Sequence, residues 1–351
     1  MKLLKDDPWT VSQSEFPRAN SVQEQLRFLL NYAVLAPSGH NTQPWLFRIE
    51  GDGVDIIADR RRALAVVDPN DRELTMSCGT ALFHLRVAMR HFGFAPVVQL
   101  FPEGEDADVM ARIRMGASME PVFNTERLFM AIANRRTNRQ PFTGDPVPAA
   151  ELEHFATCAA EEGASLRVVK SDAEKHALAE LIAEGDRIQA SDKRFRRELA
   201  AWVHPNRSNS RDGIPGYAMG LGDLLSYAGP FVIRTFNWGE GQAAKDQQLA
   251  EGSPVLLVIS TSEDSPRAWM AAGQALDRVL LQGQAYDLQA SYLNQPIEVP
   301  ELRPKVAERL GIEGVPQLIL RMGYPTEPVE TTPRRSAADM LLEGDAAPPA
   351  D

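Results

Sequence analysis

A weak internal repeat is the feature of this chain that most constrains its fold. Residues 78–82 (Cys-Gly-Thr-Ala-Leu) open a helix-like stretch, and residues 272–276 (Ala-Gly-Gln-Ala-Leu) open a similar one. Residues 113–116 (Ile-Arg-Met-Gly) are likewise echoed by residues 320–323 (Leu-Arg-Met-Gly). Matches this short arise by chance, but these two keep their order and nearly the same offset along the chain. Self-similarity of this kind indicates a duplicated structural unit, so we expect two related halves.

Helix and strand signals are mixed in both halves. Ser21 and Glu24 have the spacing of a capping box, which predicts that a helix covers residues 22–35. The other expected helices span residues 73–92, 148–162, 172–190 and 269–284, and the expected strands span residues 46–49, 54–57, 97–101, 111–115, 166–169, 254–259 and 318–321. Because these elements do not alternate regularly as strand–helix–strand units, the sequence favours an α+β fold over a doubly wound sheet.

The segment at residues 36–45 (Ala-Pro-Ser-Gly-His-Asn-Thr-Gln-Pro-Trp) has the composition of a tight turn. Pro37 fixes its own φ, Gly39 permits positive φ, and the side chains of Ser38 and Asn41 form hydrogen bonds within turns. Such a turn can bring backbone N–H donors close to a flat polar ligand. The competing interpretation is an ordinary turn between a helix and a strand.

A basic segment follows at residues 134–140 (Asn-Arg-Arg-Thr-Asn-Arg-Gln). In an extended chain, Arg135, Thr137 and Arg139 would project to one side, because alternate side chains share a face. Pro141 supports this conformation, since the residue before a proline avoids the helical region. Together with the turn, the segment could hold one anionic, aromatic cofactor. A solvated basic helix end is the competing interpretation.

Both segments resemble the nitroreductase family of FMN-dependent oxidoreductases, whose members carry a Pro-Ser-x-x-Asn-x-Gln-Pro-Trp turn and an Arg-x-Ser-x-Arg/Lys segment. In that family two identical chains intertwine and each FMN lies at their interface. One chain supplies the Arg-x-Ser segment and a C-terminal basic segment, and the other supplies the turn. Here both segments occur in one chain, which resembles the Acg-like group of two fused nitroreductase-like halves. The resemblance covers residues 22–342 and implies a pseudo-dimer.

The resemblance also implies which residues contact FMN. Pro37, Ser38 and Gly39 would approach the isoalloxazine, whereas Asn41 would brace the turn together with Gln43. Arg135 and Thr137 would bind the phosphate or the ribityl chain, and Arg139 would reach the pyrimidine edge of the ring. The full predicted cofactor-binding set is Pro37, Ser38, Gly39, Asn41, Arg135, Arg136, Thr137, Arg139, Gln295, Pro296, Ile297, Glu298, Arg334 and Arg335.

The last six residues of this set come from two C-terminal segments. Residues 295–298 (Gln-Pro-Ile-Glu) resemble the family's Pro-x-Glu-Gly segment, whose backbone N–H groups face flavin N5, although Val299 stands where glycine is expected. Arg334 and Arg335 resemble a basic pair that closes on the phosphate. A loop between a helix and a strand, and a charged tail, are the respective alternatives.

We expect the first half to cover residues 1–120 and the second half residues 121–342. Residues 163–166 of the second half lack the Pro-Ser turn, and residues 15–18 of the first half lack the Arg-x-Ser/Thr-x-Arg pattern. Each half therefore retains what the other has lost, which predicts one complete pocket. Residues 203–252 are expected to form a lid, a binding loop or an excursion that packs elsewhere, and residues 343–351 a disordered tail.

Composition limits the expected partners and cellular location of the protein. Lys and Arg number 37 against 48 Asp and Glu, a formal net charge of −11, which argues against a nucleic-acid partner. Two cysteines cannot form a disulfide framework, so we expect a cytoplasmic protein. No apolar run reaches about 18 residues, and no metal-binding motif is present, so neither membrane nor metal is expected. A monomer is compatible with the fused halves, and a higher oligomer stays open.

The resemblance implies an NAD(P)H-dependent enzyme working by ping-pong hydride transfer. NAD(P)H would reduce FMN, and a small nitroaromatic or quinone substrate would then take its place and be reduced. No side-chain acid or base is required for this chemistry, so no catalytic residue is predicted. The alternative is a low-turnover protein that stores or sequesters FMN under the lid, and a flavin-free scaffold is a third possibility.

Overall fold

Two mainly antiparallel sheets form the framework of the molecule. The computed structural model describes residues 7–120 and 123–342, so the predicted tail at residues 343–351 lies outside the described residues. The strands are β1 (Trp45–Glu50), β2 (Gly53–Ala58), β3 (Phe94–Leu100), β4 (Val109–Ser118), β5 (Ser165–Val169), β6 (Val203–His204), β7 (Ile214–Pro215), β8 (Val255–Thr261), β9 (Gln289–Tyr292), β10 (Val315–Gly323) and β11 (Leu341–Leu342). The first sheet has the order β11-β1-β2-β4-β3, the second has the order β5-β8-β10-β9, and β6 pairs with β7.

Helices surround and separate the two sheets. They are α1 (Val22–Ala33), α2 (Arg72–His91), α3 (Phe123–Asn134), α4 (Ala149–Glu161), α5 (Asp172–Ser191), α6 (Lys193–Trp202), α7 (Asp223–Thr235), α8 (Gly239–Glu251), α9 (Pro266–Gln284), α10 (Gln295–Glu298), α11 (Arg303–Leu310) and α12 (Ala337–Met340). The capping box predicted for α1 is present: Ser21 Oγ accepts from Glu24 N, and the Glu24 carboxylate accepts from Ser21 N. The mixture of helices with antiparallel sheets confirms the α+β prediction. Within the described ranges, none of the helices combines the length and the apolar composition that crossing a bilayer requires.

The glycines of the sequence repeat lie where α2 and α9 cross. A Cβ on Gly79 would stand 2.7 Å from the Met270 carbonyl oxygen, and a Cβ on Gly273 would stand 2.1 Å from the Met76 carbonyl oxygen. Both helices therefore need glycine at the crossing for the same reason, which is close approach of backbone to backbone. The two copies of this repeat segment, one in α2 and one in α9, therefore contact each other.

The chain end returns to the first sheet. Strand β11 pairs in parallel with β1, and Met340 of α12 is fully buried in the core beneath that sheet. Helix α3 also contributes Phe129 and Ile132 to this core. Both segments lie after residue 120, so the second half contributes a strand and two helices to the core of the first half.

Residues 203–252 are more regular than expected, because they contain α7 and α8. Helix α7 has a polar side and an apolar side, but most of its large apolar residues are not buried in a core. Leu225 and Val232 line a cavity and are also exposed, and Leu224 and Phe231 are exposed as well. The buried positions of the helix are Ser226, Gly229 and Ile233.

Candidate functional site

A cavity of about 720 Å³ lies between the predicted halves, within the range of about 300–1,000 Å³ usual for ligand sites. The turn at residues 37–41 and part of α2 contribute from the first half. Helices α5, α7, α8 and α10, strands β9 and β10, and Arg334 contribute from the second. Residues 36–45 and residues 134–139 therefore meet at one cleft, as the motifs predicted.

The turn adopts a strained backbone, but not at the residue expected. Positive φ occurs at His40 (48°), Asn41 (56°) and Gln43 (52°), not at Gly39. A Cβ on Gly39 would stand 3.4 Å from Glu73 Oε2, an ordinary van der Waals distance, so neither φ nor space requires glycine at this position. Three non-glycine residues with positive φ are costly and persist only where the surroundings hold them.

Asn41 supplies much of that restraint. Its amide Nδ2 donates to the carbonyl oxygens of Gly213 (2.9 Å) and Pro333 (3.1 Å), and its Oδ1 accepts from Arg334 Nη1 (2.8 Å). Gln43 acts similarly, accepting from Arg335 N at 2.8 Å. The turn is thereby tied both to the 203–252 insertion and to the C-terminal segment.

Two buried guanidinium groups converge on one carbonyl beside the turn. Arg135 Nη2 and Arg334 Nη2 each donate to Leu35 O at 3.4 Å, and the Nε of each is buried without an acceptor. Within residues 7–120 and 123–342, no carboxylate forms an ion pair with either arginine. Burial, together with the charges of Arg135 and Arg136, lowers the pKa of Arg334 to about 9. A bound anion would stabilise the arrangement, because charge and donors are both in excess.

Further cations reach the cavity from Arg139 and Arg321. Arg321 is 1% exposed and its Nη2 donates to the carbonyl oxygens of Asn138 (2.8 Å) and Gln140 (3.0 Å). Its Nε and Nη1 have no acceptor among the described residues. Burial lowers the pKa of Arg321 to about 10 and also lowers that of Arg139. The sequence analysis missed Arg321, although an arginine within the apolar strand of residues 318–322 was an available signal.

The structure brings most of the predicted set to the cavity wall and leaves some of it elsewhere. The wall includes Pro37, Ser38, Gly39, Asn41, Thr137, Arg139, Gln295, Glu298 and Arg334. Arg135, Arg136, Pro296, Ile297 and Arg335 are not on it. Arg136 lies over the Trp9 ring at 4.9 Å, and Arg335 Nη1 stands 3.8 Å from Asp59 Oδ2. Arg335 is therefore placed to brace the turn rather than to meet a ligand in the cavity.

Residues 295–298 form the short helix α10, which changes what their backbone can do. The N–H groups of Ile297 and Glu298 donate to Asn294 O, at 2.7 and 3.0 Å, and Val299 N donates to Gln295 O at 3.1 Å. The resemblance implied that N–H groups here face flavin N5. In this chain those three donors are engaged within the helical turn, and the contact with flavin N5 stays a prediction.

Four carboxyl groups, three of them missed by the sequence analysis, form another part of the wall. Burial raises the pKa of Glu73 well above its usual range, with the nearby Glu298 adding to the effect, and burial also raises that of Glu298. Burial and then the charge of Asp246 raise the pKa of Asp186 to about 8. These groups came from separate helices with no shared motif, so no sequence pattern connected them.

The chain matches known proteins over most of its length. A profile described as the nitroreductase family matches residues 132–324. A Mycobacterium tuberculosis relative, whose name assigns it provisionally to the NAD(P)H nitroreductases, is 32% identical over 93% of this chain and 93% of its own. The acg protein of that organism, named likewise, is 27% identical over 88% of this chain and 93% of its own.

Among solved structures, the FMN and NADPH-dependent nitroreductase NfnB from Sphigopyxis sp. strain HMH is 20% identical with a TM-score of 0.44, covering 62% of this chain and 99% of that one. Membership rests on the profile, which spans more than half of the chain, and on the 32% identical relative. The family resemblance carried by the turn and the arginine segment is confirmed: the chain belongs to the nitroreductase family.

Proposed function

We propose that this chain is an FMN-dependent oxidoreductase that uses NAD(P)H to reduce a small aromatic, quinone or nitro compound. The observation that carries the proposal is the pair formed by Arg135 and Arg334, two buried guanidinium groups with unmet donors and no acidic partner among the described residues. A phosphate monoester supplies the charge and acceptor oxygens that such a pair lacks. The names of the relatives, which refer to NAD(P)H, agree with this use.

The rest of the cavity suits the remainder of FMN. Thr137 offers a hydroxyl on the cavity wall, and Arg139 and Arg321 add positive charge to it. Bound FMN would supply the chemistry of hydride transfer. The role of Arg139 and Arg321 would be to favour the additional negative charge of the reduced ring, an electrostatic contribution that the protein makes.

The apolar part of the wall would provide the place where nicotinamide and acceptor bind in turn. Leu225 and Val232 of α7 lie beside Trp238 and Leu249 on this wall. These side chains would exclude water and hold a flat ring in position. Because α7 belongs to the 203–252 insertion, we retain that insertion as the proposed lid.

One chain is proposed to bind one FMN. The Pro-Ser turn comes from the first half and the arginine segments from the second, with one copy of each in the chain. A monomer would then suffice, and a cytoplasmic location without nucleic-acid partners remains our prediction from composition.

The deciding experiment is anaerobic mixing of the FMN-loaded protein with NADH or NADPH. We expect flavin absorbance, at about one FMN per chain, to bleach with one of the two nucleotides and to return when a quinone or nitroaromatic is added. A protein that binds no FMN under any reconstitution would refute the proposal. Bound FMN that neither nucleotide bleaches would support the second candidate, a flavin store, which the placement of α7 on the cavity wall favours.

A further inference from the structure

A cluster of hydrogen-bond acceptors lies on the cavity wall. Gln295 Nε2 donates to both Asp186 Oδ1 (3.2 Å) and Asp246 Oδ2 (2.9 Å), and Gln242 Nε2 also donates to Asp246 Oδ2 (2.9 Å). The three central side chains come from α5, α8 and α10, and all line the cavity. Close approach of α5 to α10 fixes the arrangement, since a Cβ on Gly185 would stand 2.8 Å from that of Gln295.

This cluster has more acceptors than donors. Asp186 is 3% exposed, yet its Oδ2 has no donor among the described residues, and the same is true of Gln295 Oε1. The one side-chain amide that reaches Asp186 is already shared with Asp246. Unsatisfied buried acceptors are costly, so the missing component is a group rich in N–H donors.

The surrounding charges allow a cation to bind. Asp186 faces Asp246, Glu298 and the outward-pointing Arg187, while Asp246 faces Lys245, Arg139 and Arg321. Burial and then the charge of Asp246 raise the pKa of Asp186 to about 8, because two buried carboxylates held beside each other repel. A monocation bound beside the pair can take the place of a proton there, offset that repulsion and donate to the free oxygens.

We propose that the cluster of Asp186, Asp246 and Gln295 binds a protonated amine or similar N–H-rich cation on the acceptor substrate. The preferred acceptors would then be aromatic compounds that carry a cationic side group, with the flat ring against the α7 side of the cavity. This inference rests on the proposed function, because the bound compound is called an acceptor only if the protein reduces it. It then names the class of compound that the same cavity selects. The recognition chemistry itself depends only on the three side chains and their geometry.

A matched pair of compounds tests the proposal. 4-Nitrobenzylamine is a cation at pH 7 and 4-nitrobenzyl alcohol is neutral, and the two are otherwise nearly the same size. Isothermal titration of the FMN-loaded protein should show the amine binding about tenfold more tightly or better, the effect expected of a charge-assisted hydrogen bond. The ratio of kcat/KM for the two compounds should favour the amine similarly.

The variants Asp186→Asn and Asp246→Asn should each reduce this preference severalfold, with thermal unfolding as the check on folding. Glu180→Gln is the matched control, because it removes an exposed carboxylate from the same helix as Asp186. Equal affinity of the wild-type protein for amine and alcohol would overturn the inference whether or not either compound is reduced. Equal reduction of both compounds would overturn it too and leave the proposed function intact. Preferential binding of the amine without reduction of either compound would support the proposed amine site and refute the proposed oxidoreductase activity.

Discussion

At the scale of single residues, the buried arginines are the strongest indication of an anionic ligand. Arg135, Arg321 and Arg334 are each at most 5% exposed, and each keeps at least one guanidinium nitrogen without an acceptor among the described residues. A surface arginine costs the fold little free energy, but a buried cation that lacks acceptors is expensive. Arg321 and Arg334 line the cavity, whereas Arg135 shares an acceptor with Arg334 beside the wall, and Asp246 lies near Arg321. A bound anion would supply the acceptors that these arginines lack.

Removing either phosphate-side arginine should therefore weaken FMN binding. We expect Arg135→Ala and Arg334→Ala each to cost about 1.5–3 kcal/mol of binding free energy, the range for a lost charge-assisted hydrogen bond. Fluorescence titration of the apoprotein with FMN measures the change. Arg114→Ala is the control, because Arg114 is the exposed repeat counterpart of Arg321. Unchanged affinity in both cavity variants would place the phosphate elsewhere.

The buried aspartate Asp186 should impose a pH dependence on stability. Its pKa is raised to about 8 in the folded protein by burial and then by Asp246, whereas an unfolded aspartate titrates near 3.9. Between about pH 4 and pH 8 the folded state then holds the additional proton, so the free energy of unfolding falls as pH rises. Above the folded pKa this loss is complete.

Asp186→Asn should reduce that fall, because asparagine does not ionise. Chemical denaturation at pH 5 and pH 8 should show a smaller difference for the variant, by about 1.4 kcal/mol for each unit of the pKa difference that is realised. Part of the fall should persist, since Glu73, Glu298 and Asp246 have pKa values raised in the same direction. Glu180→Gln should leave the wild-type difference in place, and identical pH profiles for all three proteins would contradict the assignment.

At the scale of elements, the crossing of α2 and α9 is a closely packed, buried contact between the two helices. His84 on α2 and Asp277 on α9 are fully buried, with His84 Nε2 at 3.1 Å from Asp277 Oδ2. Gly79 and Gly273, which precede this pair on their helices, allow the two backbones to touch. The crossing positions Ser77 and Thr80 of α2 along the cavity wall, so packing there also sets the geometry of the site.

A methyl group at this crossing should be strongly destabilising. In Gly273→Ala the new Cβ would stand 2.1 Å from the Met76 carbonyl oxygen, and backbone cannot yield as a side-chain end does. We expect a loss of about 3 kcal/mol in the free energy of unfolding, at the upper end for overpacking. Gly241→Ala in α8 has no heavy atom within 4 Å of the new Cβ and should instead gain about 0.5–1 kcal/mol. Urea denaturation of both variants checks the contrast, and equal stabilities would exclude this helix contact.

The elements also show how far sequence reasoning extends. Helices α1 and α2 and seven of the strands were predicted from their apolar patterns, and α1 also carries its own cap. Strands β9 and β11, which complete the two sheets, were not predicted. Helix α7 was missed because Gly229 and Pro230 interrupt its sequence, and α10 is too short to show a period. In the site, the turn and the arginines followed a family pattern. The four carboxyl groups did not, because only tertiary packing brings them together.

At the scale of the whole molecule, the C-terminal segment connects the two sheets. It leaves β10 in the second sheet, passes the cavity at Arg334, and ends as α12 and β11 against β1 in the first sheet. Trp9 Nε1 donates to Thr332 O at 3.0 Å, which ties the start of the described chain to the same segment. The cavity is therefore closed by chain crossing between the halves, and its integrity depends on that crossing.

Deleting this segment should damage both stability and binding. A chain that ends at residue 330 loses Arg334, the β11 pairing and Met340, which is fully buried in the first core. Loss of one such core side chain costs about 2–5 kcal/mol, and FMN affinity should fall further than in Arg334→Ala alone. The matched control ends at residue 342, which keeps all three features and removes only the predicted tail. Urea denaturation and flavin retention on gel filtration measure the two effects. A contradicting result would be the same urea denaturation curve and the same FMN retention for the two truncated chains. That result would mean that other contacts connect the halves and that Arg135 and Arg334 are not the phosphate site.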